Sequence, residues 1–434
     1  MLRPAAAAIL AVLSLTQTAL AENWPQWRGP THNGISTAKN IPTEWVKAAK
    51  NVAWRAKLPG PGGATPVIWD DRIYVTSAEG DNLVLMCFST DGQELWRKTV
   101  TDGNYSARAG EGNAASPSPS TDGEHVWCFF GTGVLACYTK DGDEVWKFDV
   151  QDRYGKFDIQ FGMTSTPVLH EDGLYLQLIH GTWGGPYKVG KVIRLNKADG
   201  SEVWAVDRPS QADDECKHSY ASPILYDFGG QTFLVTHGAD CTVGHDLATG
   251  AELWRLDGLN GPSPLNQRRY DNTFRMVSSP GVAPGVVVVT TAKAGPVVAV
   301  KSGESLSGEI LNSPAIQWVV DKTPDVACPL IIDGLVYLLM NEGRMLCVDQ
   351  ATGAEVYFQR VHNAQHRTSP LYADGHVYFA SKDGIVTVLK HGREFEIVAE
   401  NDMNGEGITA SPVVANGTLY LRSADALYAI RAAD

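Results

Sequence analysis

The sequence predicts an all-β chain: a single eight-bladed β-propeller of four-stranded antiparallel blades, its ring closed by an N-terminal strand that completes the last blade. Three observations predict it. A small residue, a proline and an apolar strand recur eight times, at Pro66, Pro117, Pro167, Pro223, Pro280, Pro329, Pro370 and Pro412. No stretch after the first residues carries an amphipathic helical period, which strand–helix–strand units of this size would need. The last repeat holds only three strands, and the strand it lacks stands at the other end of the chain, at residues 51–55. Joining the two ends hides the edges that an open sheet leaves exposed.

Each element follows in order. Arg3, an apolar run over residues 5–15 and Ala19-Leu20-Ala21 read as a cleavable targeting segment over residues 1–21, with Glu22 as the mature start. That run is too short to span a bilayer as a helix, and no later segment qualifies. The mature chain is therefore expected to be exported, periplasmic or secreted, and soluble, with no transmembrane segment. Residues 22–44 form an N-terminal extension containing Trp24-Pro25-Gln26-Trp27-Arg28-Gly29-Pro30, and residues 45–434 form the propeller.

Within a repeat, the proline-led strand turns at a pair such as Asp333-Gly334, and a second strand follows. A glycine turn leads into a third strand, and a polar turn ending in glycine leads into a fourth that carries an aromatic ring. These rings are Trp54 in the closing strand, then Trp96, Trp146, Trp204, Trp254 and Tyr357, each four residues after a turn glycine. Trp318 follows an insertion at residues 302–312. A ring of this kind offers roughly 150–250 Å² of surface, enough to seal one blade against its neighbour, so all seven read as structural.

Composition bounds the function. The chain has 434 residues, 44% of them hydrophobic, which supports a large core and excludes a wholly disordered chain. Its formal charge of −13 is spread without a basic cluster, so nucleic acid is not an expected partner. Seven cysteines leave at least one thiol unpaired. Cys87, Cys137 and Cys347 fall in third strands and read as core. Cys128 and Cys137 flank a hairpin and could face each other, and Cys216 and Cys241, on one face of one blade, form a candidate disulfide. There is no C-x-x-C-H, P-loop, G-x-S-x-G or H-E-x-x-H. Gly131 to Ala136 matches a dinucleotide fingerprint in letters alone, since it joins two hairpin strands and opens no helix.

The unit Gly343-Arg344-Met345-Leu346-Cys347-Val348-Asp349-Gln350-Ala351-Thr352-Gly353-Ala354-Glu355-Val356-Tyr357 resembles the pyrroloquinoline quinone (PQQ) repeat, as do residues 191–204 and 241–254. The Trp24–Pro30 segment is similar to the N-terminal motif of exported PQQ-like repeat proteins. The resemblance covers nearly the whole mature chain and implies the propeller fold. It implies two kinds of function. Some family members are quinoprotein dehydrogenases that hold PQQ and calcium over the propeller axis; others are interaction platforms, such as the propeller subunit of outer-membrane β-barrel assembly. The vicinal cysteine pair and haem domain of many such dehydrogenases have no counterpart in this sequence, and no catalytic or metal-ligating residue can be carried over by motif.

Connectors entering the proline strands and turns between second and third strands share one face of a propeller, where a rigid scaffold presents its functional loops. Candidate ligand-binding residues there are Arg108, Asp158, His218, Arg269, Arg275, His366 and Arg367 on connectors, with His180, Trp183, His237, Lys293 and Lys382 on turns. Several cations at repeat-equivalent positions, in an acidic chain, point to a funnel for a carboxylate-bearing ligand or an acidic protein. The leading expectation is a monomeric, non-enzymatic binding or scaffolding propeller with no assigned cofactor. The alternative is a dehydrogenase whose funnel cations hold the carboxylates of PQQ while calcium polarises its carbonyl. A carbohydrate-active propeller is the third class.

Overall fold

The computed structural model describes residues 22–46, 49–108, 112–184, 190–303 and 306–432, with the side chain of Arg108 left out. The targeting segment and the Arg108 side chain thus lie outside the described residues. Eight antiparallel sheets of four strands surround one axis. In the first blade the strands run outward as Val67–Trp69, Arg72–Glu79, Asn82–Ser89 and Glu94–Thr101. In the eighth, Val413–Ala415, Thr418–Arg422 and Ala426–Ile430 receive the N-terminal strand Val52–Lys57 as their outermost member. The predicted closure is therefore present. Among the described residues, helix is confined to Val150–Tyr154 and a 3-10 turn at Asp214–Lys217.

The small residue before each proline has a structural reason. At seven of the eight positions its side chain accepts a hydrogen bond from the equivalent backbone N–H of the preceding blade. Thr65 N–H donates to Ser118, Ser118 to Thr166, Thr166 to Ser222 and Ser222 to Ser279, at 2.9–3.1 Å. Ser279 donates to the Cys328 sulfur at 3.3 Å, Cys328 to Ser369 at 3.0 Å, and Ser369 to Ser411 at 2.9 Å. The residues that donate these amides are buried, so each link removes a donor that would otherwise be orphaned. The ring also corrects the second repeat. Ser120 pairs with Trp127 as Val67 pairs with Tyr74, which makes Pro119 rather than Pro117 the equivalent of Pro66.

The outer aromatics lock blades together at a greater radius. The Trp54 indole N–H donates to Thr90 O in the next blade at 2.8 Å, and Trp96, Trp146, Trp204 and Trp318 repeat the contact on Lys140, Lys197, Leu247 and Gln350. The turn glycine lies under the ring of the preceding blade. A Cβ on Gly92, at φ +85°, would stand 2.6 Å from the Trp54 ring, so that position excludes a side chain twice over. Blade four breaks the pattern, because the insertion replaces the turn that would face Trp254. Part of it, Gly308–Glu309, pairs in parallel beside Trp254 as a fifth strand. The Trp254 indole N–H is buried without a partner.

All seven cysteines are free thiols, which overturns the candidate Cys216–Cys241 disulfide. Each sulfur is engaged elsewhere: Cys216 donates to Asp271 O at 3.0 Å, and Cys241 accepts from Arg255 at 3.2 Å. Cys128 sits opposite Ala136 rather than Cys137, so the two thiols enter different inter-blade cores.

Candidate functional site

Residues three positions before each ring proline form a throat with one member per blade. They are Gly63, Ser116, Thr164, Tyr220, Val277, Val326, Arg367 and Thr409, and Arg367 alone is charged. Above the throat opens a funnel of about 290 Å³. Below it a channel of about 140 Å³ runs through the hydroxyl ring and ends at Trp27.

Trp27 belongs to a plug, residues 22–46, on the face opposite the funnel. The Trp24–Pro30 motif can be read residue by residue as a set of spokes. Trp24 exchanges two backbone hydrogen bonds with Ile68 of blade one, and Pro25 O accepts from Thr121 of blade two. The Gln26 amide both accepts from and donates to the backbone of Leu169 in blade three, at 2.9 and 3.3 Å. The buried Arg28 guanidinium reaches Pro329 O and Pro370 O, of blades six and seven, at 3.0 and 2.8 Å. Farther on, Gly34 and Ser36 clasp Tyr372 of blade seven. The plug closes the axis from below and leaves one mouth.

Three of the predicted cations converge on that mouth. Arg275 pairs with Glu215 at 2.6 Å, and its guanidinium lies over the Phe161 ring, 5.1 Å from the centroid. Lys293 bonds the Thr273 hydroxyl and stands 3.8 Å from Asp271. Burial would raise the Asp271 carboxyl, but hydrogen bonds from Thr273 and the nearby ammonium outweigh it and hold its pKa below the ordinary value. Arg367 donates to Asn341 Oδ1 at 2.5 Å. The wall between these cations is apolar, with Ala107, Val277, Ala292 and Val326, and among the described residues Asp325 is the one carboxylate lining it.

Arg108 apart, the remaining candidates do not line the funnel. His237 lies within the strand Gln231–Gly238, which runs farther than the turn expected there. Its Nδ1 meets Thr242 at 2.7 Å, and burial drives its pKa down to about 3. His218 holds Gly181 O at 2.8 Å and His366 holds Ala364 O at 3.0 Å, and burial lowers the pKa of both. Asp158 accepts from Thr182 at 2.6 Å and its amide meets His180, so this pair organises its own loop. Trp183 and Arg269 are exposed and Lys382 is half-buried. Sequence reading missed Asp325 and Thr273; counting back three residues from each ring proline would have placed the throat.

The funnel donors suit carboxylates, but calcium finds no seat beside them. Among the described residues no three His, Cys, Asp or Glu side chains gather as metal ligands, and Asp325 already accepts the Lys293 amide at 3.2 Å. The described residues do not fit a PQQ–calcium pair.

The family described as outer membrane protein assembly factor BamB, of the PQQ-repeat class, matches residues 37–172 and 80–392. The chain belongs to this family. No curated protein matches it. Among solved structures, BamB from Moraxella catarrhalis aligns at TM-score 0.60 and 14% identity, covering 88% of this chain and 98% of that one. The quinohemoprotein alcohol dehydrogenase of Comamonas testosteroni aligns at 0.68 and 14%, covering 95% and 81%. A europium-containing methanol dehydrogenase aligns at 0.66 and 13%, covering 93% and 90%. At these identities the likeness is one of fold, and the BamB family thus shares its architecture with enzymes.

Proposed function

We propose that this chain is an exported, non-enzymatic binding propeller whose single open funnel receives an acidic group, presented by a protein partner. The observation that carries the reading is Arg367: the only charge in an eight-residue throat, above a channel that Trp27 closes. A guanidinium there offers a planar fork matched to carboxylate geometry. Arg275 and Lys293 extend the positive field to the rim, and electrostatic guidance of this kind raises association rates. Assembly of outer membrane proteins, the role named for the family, favours a protein as the occupant. Export rests on the targeting segment, and no described helix is long and apolar enough to cross a membrane.

Calorimetry of the mature protein against an acidic peptide, with PQQ with and without calcium as the competing probe, tests the reading. Peptide binding that is indifferent to calcium and weakened about tenfold or more by Arg367→Gln is expected, since hydrogen bonds to charged groups contribute about 1.5–3 kcal/mol. Tight, calcium-dependent PQQ binding would establish the dehydrogenase reading instead. Peptide binding unaffected by Arg367→Gln would remove the throat from the proposal.

A further inference from the structure

The plug does not fill the face it covers. Between its residues 30–32 and the inner strands of blades three and four it leaves a cavity of about 250 Å³. Leu169, Leu225 and Phe228 supply apolar wall, and His32, Glu171 and Asp227 supply polar groups.

The proton on His32 can be placed from hydrogen bonds. Leu169 N–H must donate to Gln26 Oε1, so the other amide atom, Nε2, is the nitrogen that donates to Leu169 O. That same Nε2 lies 3.2 Å from His32 Nε2, which therefore accepts. The imidazole proton sits on Nδ1. His32 is 5% exposed and lines the cavity, and among the described residues no side chain or carbonyl meets its Nδ1–H. Its backbone is held at φ +58°, an uncommon conformation for a side-chain-bearing residue. Burial keeps the ring neutral, with its pKa lowered to about 4. Asp227 spends one oxygen on Thr232 at 2.8 Å and keeps the other, and Glu171 is exposed.

The geometry points to a site for a neutral, polyhydroxylated ligand: a single sugar ring. The N–H donor of a buried residue lies at the cavity wall, carboxylate acceptors stand at the mouth, and apolar side chains form the walls between them. Hydroxyl groups both donate and accept, and so satisfy the two ends together. An anion would face Asp227 and Glu171. A cation would face the inward N–H of His32. A transition metal would need the His32 Nε2 lone pair, which Gln26 occupies, and no three-ligand group exists among the described residues. The cavity lies on the face opposite the funnel, so its occupancy is independent of the funnel's role.

The test uses the full mature protein, with histidine side chains labelled with ¹⁵N, titrated with glucose, N-acetylglucosamine and maltose, and with putrescine as a cationic probe. The expected result is a saturable shift of the His32 Nδ1 resonance with one or more of the sugars. Calorimetric affinity for that sugar should fall roughly five- to tenfold in Asp227→Asn and in Glu171→Gln, as loss of one hydrogen bond predicts. Both substitutions are at exposed, near-isosteric positions, so folding is retained. Saturation by putrescine rather than by any sugar overturns the proposal. So does a His32 resonance that none of the sugars moves, or an affinity unchanged in both variants.

Discussion

Ser118, Thr166, Ser222, Ser279, Ser369 and Ser411 do the same task from blade to blade, and Cys328 does it with sulfur, seven links in all. The requirement is a small side chain with a lone pair, aimed at the amide of the preceding blade. Thr166→Val keeps the shape of the side chain and deletes the acceptor for the buried Ser118 amide, 3.1 Å away. An orphaned buried donor costs about 1–3 kcal/mol, and urea unfolding should show a loss of that size. Cys328→Ser should be tolerated to within about 0.5 kcal/mol, because serine fills the same place elsewhere in the ring. A Thr166→Val protein as stable as the parent would mean that the ring is geometry without energetic consequence. The proline and its small neighbour were legible in the sequence because they are local. The partner of the hydroxyl was not, since it lies in another blade some fifty residues away, as with Thr166 and Ser118. The same distance hid the true register of Pro119, which only strand pairing reveals.

Between blades, the outer tryptophans offer an internal comparison. Trp204 donates to Leu247 O at 3.1 Å, whereas Trp254 has lost its receiving turn to the insertion and keeps a buried, unpaired N–H. Phenylalanine preserves most of either ring. Trp204→Phe should therefore destabilise by about 1 kcal/mol through the lost hydrogen bond, while Trp254→Phe should be neutral or stabilising, because it removes an unsatisfied donor. Equal losses in thermal or urea unfolding would show that ring area outweighs the hydrogen bond at both interfaces. Position along the repeat identified both tryptophans as packing residues, and it also marked the insertion. The consequence for Trp254 was not readable, because the missing partner belongs to the next blade. The plug shows the same limit. Its motif stands out in the sequence, but what Gln26 and Arg28 do depends on blades three, six and seven arriving at one axis. In the funnel, Arg275, Lys293 and Arg367 were legible as loop cations. His237 misled because strand pairing carried it into the core.

Closure of the ring buries histidines as well as apolar side chains, and this gives the whole molecule a pH dependence whose sign can be worked out. Burial lowers His32, His245 and His366 from 6.5 to about 4, and His237 to about 3. Below pH 6.5 the unfolded chain takes up protons at these positions that the folded protein refuses, so stability falls as pH falls from there toward the folded values. Each group contributes up to about 1.4 kcal/mol per pH unit inside that window. Two carboxyls, Glu309 and Asp240, are raised by burial and work in the opposite sense. Asp240 is raised from 3.8 to about 7, mainly by burial, so its contribution is largest in acid and is lost as pH rises toward neutrality. With His218 lowered as well, five histidines against two carboxyls leave a net loss on acidification. The melting temperature should therefore decline steadily between about pH 7 and pH 5, well before general carboxylate protonation sets in. Asp240→Asn should steepen that decline, because it removes an opposing titration, and a melting temperature that is flat or rises toward pH 5 would show that the buried imidazoles are already solvated in the native state.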